Sequence, residues 1–270
     1  MQQQPIAILD SGVGGLTVVK EVMRQLPREK IIYFGDTART PYGPRPAEEV
    51  IGFTEEIVSY LIQYNPKMIV IACNTATAVA LDTIRAQVNI PVVGVIQPGA
   101  RAAVKQSLSG IIGVIGTEGT IKSGAYELEL KKMAPYAQVI SEPCPEFVPL
   151  VERGEFCTLE TLDIVRKRLA MLSNKRGMDT LILGCTHYPF LADAISQVMG
   201  SQVTLINSAY ETAREITAIL YKQKLLDRGG EGMVHQFFCS GNAPMFKPIA
   251  LQWLGRQGKR APIAWHLPHN

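Results

Sequence analysis

Met68-Ile-Val-Ile-Ala-Cys73-Asn74-Thr75-Ala76 and Asp179-Thr-Leu-Ile-Leu-Gly-Cys185-Thr186-His187-Tyr188-Pro189 are two versions of one pattern. Each is a short apolar run, then a cysteine, then small hydroxyl or amide residues. A run of this length, apolar without alternation and closed by turn-forming residues, predicts a strand buried on both faces of a parallel sheet. The cysteine then falls at the carboxyl end of its strand, where open α/β sheets bind ligands. Two thiols in equivalent positions predict two related halves with one site between them and a thiol from each half.

The segments before each cysteine run also correspond. Ile6-Ala-Ile-Leu-Asp10 reads as a strand, Ser11-Gly-Val-Gly-Gly15 as the turn after it, and Leu16 to Gln25 as a helix. Gly110 to Thr117 repeats the strand, with Thr117 in the place of Asp10, and Glu118 to Gly124 repeats the turn. Asp10 precedes Cys73 by 63 positions and Thr117 precedes Cys185 by 68. Lys30 to Asp36 and Gln138 to Cys144 read as second strands. Helices are predicted over 48–64, 77–87, 126–133, 158–172, 210–221 and 246–254, and further strands over 91–96, 202–208 and 235–241. Residues 147–152 read as a loop or short helix, Gln97-Pro98-Gly99 as a hinge, and residues 259–270 as a patternless, poorly ordered tail. The expected fold is α/β: two pseudo-symmetric, doubly wound parallel-sheet domains facing each other across an active-site cleft. The first comprises residues 1–97 with 208–270, the second residues 98–207.

Composition narrows the class. A chain of 270 residues with 47% hydrophobic and 19% charged residues has the balance of a globular enzyme. A net charge of +3 is too small to imply a nucleic-acid partner. Lys131-Lys132 and Arg166-Lys167-Arg168 read as solvated helix faces. Five cysteines, an odd number at wide spacing without a CxxC, argue against a disulfide framework or a zinc site. Cys144, Cys157 and Cys239 read as inert small hydrophobes. The opening Met-Gln-Gln-Gln-Pro lacks signal-peptide character, and no apolar run approaches the roughly 18 residues of a membrane span. The expected location is the cytoplasm, where thiols stay reduced.

The chemistry follows from the residue types. Gly12, Gly14 and Gly15 do not make a GxGxxG fingerprint, and a carboxylate at the strand end would repel a pyrophosphate. The glycines suit close approach of backbone to a small ligand instead. A thiolate is a good base and a thiol an adequate acid. A pair of them can invert a stereocentre, one removing a proton from carbon and the other delivering one from behind. His187 follows Cys185 by two positions, so along an extended strand both would point the same way and the imidazole could shuttle a proton. Asp10 should neighbour Cys73; it could receive a proton or hold a substrate ammonium. Ser11, Asn74, Thr75, Thr117 and Thr186 could cap helices, which is compatible with binding a ligand.

Four stretches together, Asp10-Ser-Gly-Val-Gly-Gly15, Gly35-Asp-Thr-Ala-Arg-Thr-Pro-Tyr-Gly43, Ala72-Cys-Asn-Thr-Ala76 and Gly184-Cys-Thr-His-Tyr-Pro189, closely resemble the glutamate racemases of the aspartate/glutamate racemase family. The likeness runs from Ile6 to about Gly241. It implies interconversion of L- and D-glutamate by two-base proton transfer, with neither pyridoxal phosphate nor a metal. On that resemblance Cys73 would take the α-proton of D-glutamate and Cys185 that of L-glutamate. Asp10, His187 and Glu152 would assist, and Ser11, Pro41, Tyr42, Gly43, Asn74, Thr75, Thr117 and Thr186 would hold the substrate with Asp10. It further implies a bacterial source, D-glutamate supply for peptidoglycan synthesis, and a homodimer with no nucleic-acid or membrane partner. An aspartate racemase, a related decarboxylase or maleate isomerase, and a non-catalytic amino-acid-binding module are the alternatives. Turnover of aspartate, or binding of glutamate without α-hydrogen exchange, would mark them.

Overall fold

The computed structural model describes residues 2–267 except 157, 228, 230–232, 242 and 261, so Cys157 lies outside the described residues. The chain divides into two compact units, Met1–Val95 with Ala209–Asn270, and Ile96–Ser208. The first opens with β1 (Ile6–Asp10), α1 (Leu16–Gln25), β2 (Ile31–Gly35), α2 (Ala47–Ile62), β3 (Met68–Ile71), α3 (Asn74–Gln87) and β4 (Val92–Gly94). The second contains α4 (Ile96–Gln106), β5 (Ile111–Gly116), α5 (Glu118–Lys122), α6 (Ala125–Met133) and β6 (Gln138–Pro143). It continues through α7 (Phe147–Glu152), α8 (Leu159–Arg168), α9 (Ala170–Ser173), β7 (Thr180–Gly184), α10 (Ala192–Met199) and β8 (Thr204–Asn207). The chain then returns to the first unit with α11 (Ser208–Lys222), β9 (His235–Cys239), α12 (Ala243–Leu254), α13 (Arg256–Arg260) and β10 (Ile263–His266).

Both sheets are wholly parallel. Their orders are β10-β9-β2-β1-β3-β4 and β6-β5-β7-β8. Stripped of β9 and β10, the first sheet has the order of the second: the first strand lies centrally, the second on one side, the third and fourth on the other. In such a sheet the chain changes direction beside the central strand, and the crevice at its carboxyl end is where ligands bind.

The unbroken apolar runs occur where a strand is buried on both faces: all residues of β1, β3 and β7 are buried, whereas the edge strand β6 is partly exposed. Ala7 and Leu9 of β1 and Ile69 and Ile71 of β3 point to one face, against Val50, Ile57 and Leu61 of α2 and Ala76, Ala80 and Ile84 of α3. Full burial of each Val, Leu or Ile contributes roughly 1.5–3 kcal/mol. Tyr33 of β2 points to the other face, where Phe237 and Phe246 meet it.

Several boundaries differ from those the sequence suggested. Gln97-Pro98-Gly99, beside the division of the units at Val95 and Ile96, lies in the first turn of α4, where proline is tolerated because first-turn N–H groups lack intrahelical partners. The turn after β5 contains the short helix α5, capped by Thr117. The helix predicted over 158–172 breaks at Leu169 into α8 and α9. The expected patternless tail contributes α13 and β10, whose Ile263–His266 pair with β9. A strand of four residues at a sheet edge is too short to show a period.

Candidate active site

In the first unit the site is built on the carboxyl ends of β1, β2 and β3. Asp10 ends β1 fully buried. Its Oδ2 accepts the Gly12 N–H at 3.0 Å, and Tyr33 donates its hydroxyl to the Gly12 carbonyl at 2.7 Å. The turn is folded so tightly that a Cβ on Gly15 would lie 2.5 Å from Asp10 Cβ and 3.1 Å from the Tyr33 hydroxyl. Glycine there is a packing requirement, and Ser11 is held buried within the same turn.

Cys73 follows β3 in extended backbone and is the N-cap of α3, its Sγ accepting the Ala76 N–H at 3.5 Å. Asn74 and Thr75 form the first turn of α3 and are buried. An N-cap sulfur receives the helix's unpaired amide donors and its positive end, which favours negative charge there. The predicted helix therefore begins three residues earlier than its apolar periodicity suggested.

The loop after β2 packs over the same end of the sheet. Tyr42 is buried and donates its hydroxyl to Asp36; Gly43 is buried and Pro41 exposed. Burial, then the hydrogen bond to Asp36, hold the Tyr42 phenol far above its ordinary pKa. Asp36 is fully buried, and it also accepts from Arg39 Nε at 2.6 Å and the Ser240 hydroxyl at 2.7 Å. It is the anchor of this loop.

In the second unit Cys185 directly follows β7 and is buried at 6% exposure. His187 Nδ1 lies 3.8 Å from its sulfur and 3.5 Å from the Thr186 hydroxyl. The contact is made through a turn, His187 having helical φ and ψ, and not along an extended strand as the sequence suggested. His187 Nε2 lies 3.3 Å from Oε1 of Glu152, the last residue of α7, whose side chain is 40% exposed. The three groups form a line of thiol, imidazole and carboxylate. Thr117, half-buried, caps α5 by accepting the Thr120 N–H at 3.3 Å. A Cβ on Gly184 would lie 2.6 Å from the Ile115 carbonyl and 3.0 Å from the Tyr126 ring, so the residue before the thiol must be glycine.

Comparison with known proteins now bears on this arrangement. Residues 11–216 match the family model for Asp/Glu/Hydantoin racemase. The chain belongs to that family. It is an isomerase of the amino-acid racemase type. A glutamate racemase from Enterococcus faecalis is 53% identical over 260 residues, 96% of this chain and 95% of the relative. The crystal structure of glutamate racemase isoform RacE1 from Bacillus anthracis superposes with a TM-score of 0.93 at 45% identity, covering 98% of both chains. That of glutamate racemase from Francisella tularensis in complex with D-glutamate gives 0.91 at 32% identity, covering 100% of this chain and 98% of the other.

In this racemase-family chain the predicted residues gather into two groups, one per unit: Asp10, Ser11, Tyr42, Gly43, Cys73, Asn74 and Thr75, and Thr117, Glu152, Cys185, Thr186 and His187. Asp36 was not singled out by the sequence reading, although it lies in the Gly35–Gly43 stretch; only its burial and three side-chain donors reveal it. Cys144 is buried, and burial pushes its thiol well above the usual range; Cys239 is likewise raised by burial. Among the described residues no group of three or more His, Cys, Asp or Glu could hold a metal, and no helix is long and apolar enough to cross a membrane.

Proposed function

We propose that this protein interconverts L- and D-glutamate by proton transfer between the substrate's α-carbon and two thiols, Cys73 and Cys185. The observation that carries the reading is their position: each follows the third strand of a sheet in which the four corresponding strands, β2-β1-β3-β4 and β6-β5-β7-β8, run in the same order. The chemistry balances without a further reactant. The thiolate of Cys73 takes the α-proton of D-glutamate and becomes a thiol. The electron pair of the broken C–H bond stays on carbon, delocalised toward the α-carboxylate, and the Cys185 thiol returns a proton to give L-glutamate. The reverse direction exchanges the two roles.

The α-proton is a weak acid, so the developing charge must be stabilised by fixed donors in a water-excluded site. Ser11, Asn74, Thr75, Thr117 and Thr186, with the Pro41-Tyr42-Gly43 loop, supply those contacts in this reading. Asp10 assists Cys73, and His187 oriented by Glu152 assists Cys185. Glutamate as substrate is supported by the relatives, one of them solved with D-glutamate. Supply of D-glutamate for peptidoglycan, a cytoplasmic location, a homodimeric state and independence of cofactors are part of the proposal on the resemblance to glutamate racemases.

The test is to incubate metal-free, pyridoxal-free protein with D-glutamate in D2O, following optical rotation and α-proton NMR together. The expected result is decay of rotation to zero as deuterium enters at the α-carbon, and loss of racemisation in Cys73→Ala and Cys185→Ala. Full activity in either variant overturns the two-thiol mechanism. No change with glutamate, but turnover of aspartate, overturns the substrate.

A further inference from the structure

Tyr33 is a buried group packed against the Asp10 turn for which the reaction above has no use. It points to the same sheet face as Asp10, one pleat before the end of the neighbouring strand, since β1 and β2 pair Ile8 with Tyr33 and Asp10 with Gly35. Its hydroxyl donates to the Gly12 carbonyl at 2.7 Å while the Gly12 N–H donates to Asp10 at 3.0 Å. Gly12 is thus gripped on both sides, and the Asp10 carboxylate is tied to the phenol through one residue. Burial, then the nearby Asp10 carboxylate, hold the Tyr33 hydroxyl in its neutral, donating form.

The ring is fixed as firmly as the hydroxyl. Phe246 of α12 stacks on it with ring centroids 6.2 Å apart and an interplanar angle of 9°. Phe237 of β9 meets it at 5.5 Å, and Trp265 of β10 packs edge-on against both phenylalanines. These partners all come from the last part of the chain, after the second unit.

We infer that Tyr33 is a positioning residue for the Cys73 half of the reaction, holding the Asp10 turn through Gly12, with the aromatic group of Phe237, Phe246 and Trp265 as its support. The inference rests on the proposed two-thiol reading. It assigns the C-terminal elements a part in setting the site through the Tyr33 ring.

Tyr33→Phe keeps the ring and removes only the hydroxyl. It should lower kcat/KM about tenfold in both directions, the scale of one lost buried hydrogen bond. The deciding readout is the α-deuterium isotope effect on kcat/KM. With deuterated D-glutamate, whose bond is broken at Cys73, the effect should rise in the variant. With deuterated L-glutamate it should fall, because the limiting step has moved to the Cys73 side. A loss that merely reflects looser folding lowers the rate and leaves both isotope effects as they were. Phe246→Leu retains the hydroxyl and loosens its support, so it should shift the two effects in the same directions by less; it also carries the test if Tyr33→Phe does not fold. Unchanged isotope effects in both variants overturn the positioning role. Absence of glutamate racemisation by the unaltered protein overturns the underlying reading instead.

Discussion

Cys73 and Cys185 follow equivalent strands, yet their sulfur atoms meet different neighbours. Cys73 receives a backbone N–H at the start of a 14-residue helix, whereas Cys185 lies 3.8 Å from an imidazole. The two thiols should therefore depend on different groups. His187→Asn should slow glutamate racemisation by about 10²-fold or more, the scale of a lost general acid–base partner. Glu152→Gln should cost less than about tenfold, because its carboxylate is partly exposed and such pairs contribute about 1 kcal/mol or less. Circular-dichroism assays of both variants decide this; equal losses would mean that Glu152 does more than orient the ring. A purely structural counterpart is Lys67, whose Nζ lies 2.5 Å from Glu29 with both side chains buried, and which also donates to the Gln2 and Leu225 carbonyls. Lys67→Met should destabilise the fold by about 3–5 kcal/mol by leaving the Glu29 carboxylate buried with the Asp227 N–H but without its cation, read as a shift in the urea midpoint. The placement of Cys73, Cys185 and His187 just past strand ends was legible in the sequence because they follow apolar runs. Asp36, Tyr33 and Lys67 were not, since their partners lie up to 213 positions away: Phe246 stacks on Tyr33, and the Ser240 hydroxyl reaches Asp36 from 204 positions on.

Strands and turns carry the next level of constraint. The apolar runs of β1, β3, β5 and β7 announced a parallel sheet because nothing in a doubly covered strand needs to be polar. Less legible were α5, α9 and β10, each of four or five residues, too few to display a period. The start of α3 was misjudged because the residue capping it is a cysteine, outside the usual capping set of Ser, Thr, Asp and Asn. The turn after β1 gives the sharpest prediction at this scale. In Gly15→Ala the new methyl must displace the Asp10 side chain, since the clash is with its Cβ and Cγ at 2.5 and 2.9 Å. Glutamate turnover should fall at least tenfold, whereas Gly52→Ala, in open space on α2, should leave it unchanged. Near-wild-type activity in Gly15→Ala would show that the turn relaxes without moving the carboxylate.

At the scale of the molecule, the amino-terminal end of the first sheet holds a pH-sensitive join. His235 opens β9, is buried at 4% exposure, and accepts the Ile31 N–H at 3.1 Å through Nδ1. Burial, then the charge of Lys30, lower its pKa from 6.5 to about 4. The folded form therefore resists protonation where the unfolded chain accepts it. Stability is fully present above about pH 6.5 and declines as pH falls toward 4, by up to about 3 kcal/mol. His235→Asn should lose that increment, so its urea midpoint should approach that of the unaltered protein between pH 7 and pH 4; parallel curves would refute the assignment. The same join ties β9 to β2, and β10 to β9, so the first sheet takes two of its six strands from the far end of the chain. The second unit, by contrast, is one uninterrupted stretch, Ile96–Ser208. During synthesis, then, the order of completion inverts the order of translation. The stretch made in the middle has all its strands as soon as it leaves the ribosome, while the one begun first must wait, with β2 exposed as an open edge, until β9 emerges.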